Sequence, residues 1–154
     1  MEAVIFIGIQ ATGKSTFYCQ RFVDTHVRLN LDMLRTRHRE QILLDACLAA
    51  KQSFVVDNTN VTRAARARYI APARAAGFRV AGYYFQSSLR DAMARKRQRR
   101  GRKAIPERGI AATQGRLEVP RLDEGFDALY SVTVSGPHEF SVRGWRDTLG
   151  QPGR

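Results

Sequence analysis

Short apolar runs alternate with helix-patterned segments from one end of the chain to the other. Residues 3–7, Ala-Val-Ile-Phe-Ile, are uniformly apolar and rich in β-branched side chains, which predicts a strand buried on both faces. Residues 14–25 then carry helical spacing, 27–30 read as a short strand, 32–51 as one long helix and 54–56 as a further strand. Helical spacing returns over 62–76, with a break expected at Pro72, whose ring and missing N–H disfavour an unbroken helix interior, and a stop at Gly77. Residues 79–85 predict a strand, Ser88 caps a helix reaching about residue 100, and Pro106 opens another helix where its lost donor costs nothing. A last strand is expected over 129–134, and the Gly- and Pro-containing end, 147–154, is expected to be loose. This alternation is the signature of an α/β fold, here a five-stranded parallel sheet flanked by crossover helices. No repeat, linker or low-complexity tract interrupts it, so a single domain over 1–154 is expected.

Composition narrows the class. With 154 residues, 44% apolar and 26% charged, the chain can bury a core without disulfides or a structural metal, and disorder, collagen and long coiled coil fit poorly. No apolar run approaches the length of a membrane span and no basic signal region opens the chain, which predicts a soluble, cytoplasmic protein without membrane contact. Cys19 and Cys47 each fall in a helix-patterned segment, and the three histidines make no ligand spacing with them. The net charge of +12 changes the picture most, because it is the electrostatic footprint of a protein that meets polyanions. A preference for Arg over Lys can follow from a GC-rich genome, but exchanging one for the other leaves +12 unaltered.

Gly8-Ile9-Gln10-Ala11-Thr12-Gly13-Lys14-Ser15 fits the pattern G-x-x-x-x-G-K-[ST], and it lies directly between the first strand and the first helix, the context this phosphate-binding loop requires. Its glycines let successive backbone N–H groups curl around phosphates at the positive end of the helix. Lys14 would reach the β- and γ-phosphates of a nucleoside triphosphate, and Ser15 would offer its hydroxyl to Mg²⁺. Gln10, Ala11, Thr12 and Thr16 complete the nucleotide contacts. A guanine-reading N/T-K-x-D segment is missing, which argues against a switch GTPase.

Two carboxylates are candidates for chemistry. Asp57 ends the strand 54–56, where it can hold Mg²⁺, although Asp-Asn-Thr-Asn is also good turn and cap chemistry. Asp32 follows the strand 27–30, at the mouth of the sheet where open α/β folds bind ligands. It can take the proton of an acceptor hydroxyl, or simply cap the helix behind it. Between Arg90 and Arg108, nine basic residues face only Asp91 and Glu107. Such a run serves as a lid over the transferred phosphoryl, as a nucleic-acid surface, or as a solvated helix face.

These motifs, in this order, resemble the kinase domain of the polynucleotide kinase family of nucleic-acid end-repair enzymes. Asn30-Leu31-Asp32-Met33-Leu34-Arg35 is similar to the family's N-x-D-x-x-R segment, Asp57-Asn58-Thr59-Asn60 to its D-N-T-N turn, and Pro120 to Phe126 to its P-x-x-x-E-G-F stretch. The resemblance implies a three-layer P-loop NTPase fold of adenylate-kinase-like architecture, with ATP and Mg²⁺ as cofactors. It implies Asp32 as general base, Arg35 on acceptor phosphate, and Asn60 and Arg66 on the acceptor side. The segment 95–106 corresponds to the lid, with Arg100 approaching the phosphates and Arg97 beside it, where the family often has Asn. No D-x-D-x-T phosphatase motif occurs, so a lone kinase module is expected. The expected activity is transfer of the γ-phosphoryl to a hydroxyl, first the 5′-OH of a nucleic acid. A small-molecule kinase and a nucleic-acid-binding ATPase remain the alternatives, and oligomeric state is not legible.

Overall fold

The computed structural model describes residues 1–86, 91, 94 and 107–145. Strand β1 (Glu2–Ile7) leads through the phosphate loop into α1 (Lys14–Arg21), followed by β2 (Val27–Leu29), α2 (Leu31–Leu34), α3 (Arg37–Ala50) and β3 (Phe54–Val56). Helix α4 (Arg63–Ala75), β4 (Arg79–Phe85), α5 (Glu107–Arg116), β5 (Ala128–Gly136) and β6 (Glu139–Gly144) complete the order. The strands form one sheet in the order β2-β3-β1-β4-β5-β6, parallel throughout except at the β5–β6 pair.

Because successive strand residues point to opposite faces, β1 divides the core in two. Val4 and Phe6 join Phe17, Tyr18 and Phe22 from the α1 side, where Phe6 and Phe17 meet edge to face at 5.8 Å. Ala3, Ile5 and Ile7 face the other layer, with Leu44 and Cys47 of α3 and Tyr69, Ile70 and Ala73 of α4. The result is the expected three-layer α/β fold. Every β1 residue from Ala3 to Ile7 is 0% exposed, which is why its pattern is a continuous apolar run and not an alternation. Cys19 and Cys47 are both free thiols.

Three expectations need correction. The helix expected over 32–51 is two helices, because Arg35 takes φ +77 and Thr36 starts a new helix by accepting the Arg39 N–H on its hydroxyl. Pro72 does not break α4, which runs from Arg63 to Ala75; burial of Tyr69, Ile70 and Ala73 on the flanking turns offsets the lost hydrogen bond. Among the described residues the sheet has six strands: beyond β5, a turn at Pro137-His138 with His138 at φ +57 returns the chain as an antiparallel edge. Of the helix expected from Ser88, only Asp91 and Ala94 are described, and both are helical. The proposed lid and the end of the chain lie outside the described residues.

Candidate active site

The phosphate loop leaves β1 at the carboxyl edge of the sheet and closes into α1 at Gly13, which has φ +87 and offers no side-chain cap. A Cβ at Gly13 would stand 2.8 Å from Phe140 Cε1 of β6, so close approach and a left-handed backbone both require glycine there. Ala11 is held at φ +61. The first-turn N–H groups of a helix have no intrahelical acceptor, and here they open onto the loop with the positive end of the helix dipole. The nearly buried Lys14 ammonium lies over the loop, donating to the carbonyls of Gly8 (3.0 Å) and Ile9 (2.6 Å) and to Thr12 Oγ1 (3.2 Å).

The turn after β3 ties this loop to the rest of the site. Gly8 N–H donates to the Thr59 carbonyl at 2.9 Å, and Asn60 Nδ2 donates to the Phe6 carbonyl at 2.8 Å. Ser15 Oγ donates to Asp57 Oδ2 at 3.1 Å. Arg28, on β2, reaches the same pair: its Nε donates to Asp57 Oδ2 and its Nη2 to Ser15 Oγ, each at 2.9 Å. Two hard oxygens, one of them on a carboxylate that is 2% exposed, form a donor set that suits Mg²⁺, which usually takes one or two protein oxygens and completes its shell with phosphate and water. Arg28 shares that carboxylate and was not singled out by the sequence; its only signal is a charged residue inside a short strand.

Asp32 sits in the first turn of α2. Asn30 caps this helix by accepting the Met33 N–H (2.9 Å) while its Nδ2 donates to the Asp57 carbonyl (2.6 Å). Asn58 Oδ1 accepts the Leu31 N–H at 2.9 Å. Asp32 therefore does not cap α2; Asn30 and Asn58 do, and the Asp32 side chain is exposed. A cavity of about 230 Å³ brings together Gln10, Lys14 and Ser15 of the loop with Asp32, Asp57 and Asn58. Gln10 also donates to Thr113 Oγ1 of α5 at 2.9 Å, and Thr16 is half-buried at the start of α1.

Not every candidate joins this cleft. Arg66 is 0% exposed, its guanidinium forked onto Glu124 at 2.7 and 2.9 Å and donating to the Asn60 carbonyl at 3.0 Å, so it is a core ion pair and cannot reach an acceptor. Asn60, 5% exposed at φ +47, braces the end of β1 and likewise has no face toward a substrate. Arg35 is exposed, one turn beyond Asp32. Arg97 and Arg100 lie outside the described residues.

Residues 35–120 match a family model described as an AAA domain. The chain is 28% identical over 137 residues to the bifunctional polynucleotide phosphatase/kinase of Schizosaccharomyces pombe, a match taking in 85% of this chain and 33% of that protein. It thus spans about a third of the length of this curated relative. Among solved structures, a gluconokinase from Sinorhizobium meliloti superposes with a TM-score of 0.64 at 17% identity, covering 89% of this chain and 85% of that one. The APS kinase CysC of Mycobacterium tuberculosis, in complex with AMPPNP and APS, gives a TM-score of 0.55 at 16% identity, covering 89% of this chain and 90% of that one. At such identities these likenesses show the fold, that of the P-loop kinases.

Proposed function

The chain belongs to the AAA domain family, and from that membership and the contents of its cleft we propose an ATP- and Mg²⁺-dependent kinase that moves the γ-phosphoryl to the 5′-hydroxyl of a polynucleotide. The observation that carries the reading is one cavity lined both by the phosphate loop, through Lys14 and Ser15, and by a carboxylate, Asp32, that its own helix does not use as a cap.

Backbone N–H groups at the start of α1 hold the phosphates, and the Lys14 ammonium offsets the charge that builds as the bond between the γ-phosphorus and the bridging oxygen breaks. Asp32 accepts the proton of the acceptor hydroxyl while that oxygen attacks the γ-phosphorus, and ADP leaves. Ser15 and Asp57 would hold Mg²⁺, which when bound supplies Lewis-acid neutralisation of the phosphate oxygens. Arg35 is assigned to an acceptor phosphate, and Arg100 with Arg97 to the transferred phosphoryl. Two facts favour a polynucleotide over a small hydroxyl compound: the similarity to a polynucleotide phosphatase/kinase across most of this chain, and the +12 charge.

The test is incubation with labelled ATP and a panel of 5′-OH DNA, 5′-OH RNA, sugars and nucleosides. Label on an oligonucleotide end is the expected result; label confined to small compounds overturns the polynucleotide assignment. Asp32→Asn should lower turnover by roughly 10²- to 10⁴-fold with ATP affinity intact, because a different loop holds the nucleotide. An undiminished rate removes Asp32 from the mechanism.

A further inference from the structure

Glu40 is the second buried carboxylate near the site, 2% exposed on the inner face of α3, and nothing in the transfer reaction uses it. A charge so placed persists only if its oxygens are answered by donors. Three are present. Tyr69 Oη of α4 donates to Oε1 at 2.7 Å and Arg37 Nη1 donates to the same oxygen at 2.9 Å, while Asn58 Nδ2 donates to Oε2 at 2.9 Å. Arg37 Nη1 also donates to Tyr69 Oη at 2.8 Å.

The Asn58 contact leads to the cleft. An asparagine amide has a donor end and an acceptor end, and a carboxylate accepts only. Glu40 therefore compels Asn58 to turn its NH₂ toward α3 and its Oδ1 toward Leu31, whose N–H it accepts. Leu31 is the first residue of α2 and Asp32 the second. Burial, then the hydrogen bond to Glu40 and its charge, pushes the Tyr69 hydroxyl up to about 12, so it remains a donor throughout the neutral range.

We propose that Glu40 is a positioning residue for Asp32: by dictating the orientation of the Asn58 amide it sets the start of α2, and so the place of the Asp32 carboxylate relative to the phosphate loop. The inference rests on the reading of Asp32 as the base. Glu40 touches neither nucleotide nor acceptor, and its effect is confined to the acceptor side, because Lys14 and Ser15 are held by other contacts. Glu40→Gln keeps the shape but puts an NH₂ on one arm. Turned toward Asn58, it flips that amide and sets donor against donor at Leu31; turned toward Tyr69, it confronts the hydroxyl and Arg37 with a third donor.

A double-mutant cycle tests this, with transfer from ATP to a 5′-OH oligonucleotide as one readout and amide hydrogen exchange at Leu31 as the other. Glu40→Gln should lower kcat by about 10- to 100-fold with KM for ATP unchanged. It should speed exchange at Leu31, and it should cost nothing further in an Asp32→Asn background. Tyr69→Phe, which keeps the ring and removes one donor, should show a smaller loss that likewise vanishes in that background, and it serves if Glu40→Gln does not fold. Equal fractional losses in both backgrounds, an unchanged kcat, or unchanged exchange at Leu31 would each overturn the inference while leaving the base intact. A fully active Asp32→Asn protein overturns the base itself and with it the need for positioning.

Discussion

The guanidinium of Arg66 lies in the core with two N–H groups on the Glu124 carboxylate, both side chains nearly free of solvent. Removing one partner of such a pair leaves a buried charge unanswered, which costs about 3–5 kcal/mol. Arg66→Met should therefore lower Tm by roughly 6–20 °C in a protein of this size, while KM for the acceptor in the folded fraction stays unchanged. A thermal melt beside a kinetic titration checks both, and a raised acceptor KM at native stability would restore Arg66 to the substrate site. Arg28 presents the opposite case: a half-buried arginine whose role lies in the cleft, on Asp57 and Ser15. In sequence the two are alike, because partner and depth are set by neighbours 29 to 58 positions away.

At the scale of elements, the β5–β6 hairpin does more than cover an edge. Phe140 packs edge to face on Phe17 with ring centroids 5.2 Å apart and fills the space a side chain at Gly13 would need, so the hairpin buttresses the end of the phosphate loop. Gln20 of α1 donates to the His138 carbonyl at 2.7 Å and ties the same two elements together. Phe140→Ala should cost roughly 1–3 kcal/mol for a half-buried ring, and it should weaken ATP binding because the start of α1 loses its backing. Calorimetric titration with ATP, set against the melting curve, separates the two effects; unchanged affinity would reduce the hairpin to an edge guard. The β6 sequence, Glu-Phe-Ser-Val-Arg, alternates apolar and polar as an edge strand should, but so short a run after Pro137 is decided by the partner strand it finds.

Over the whole molecule, the excess of positive charge governs long-range behaviour. A polynucleotide that neutralises three of its phosphates on this surface should bind with a log–log salt slope of about −2 to −3. Oligonucleotide binding measured from low to physiological salt checks the number, and a protein that does not bind at low salt is not a polynucleotide kinase. Among the described residues no helix is long and apolar enough to cross a membrane.

The strand–helix order, the phosphate loop and both cleft carboxylates were legible in the chain, because each is local. A buried parallel strand needs an uninterrupted apolar run, and phosphate binding needs glycine, lysine and a hydroxyl at fixed spacing between strand and helix. Tertiary structure decided what depends on partners distant in sequence. It sent Arg66 and Asn60 into the core and carried the chain through Pro72. It also drew Arg28, Asn58 and Glu40 around the cleft. A side chain's type states which bonds it can make; which of them it makes depends on where the sheet and helices bring the complementary groups, and single-chain spacing does not encode that distance.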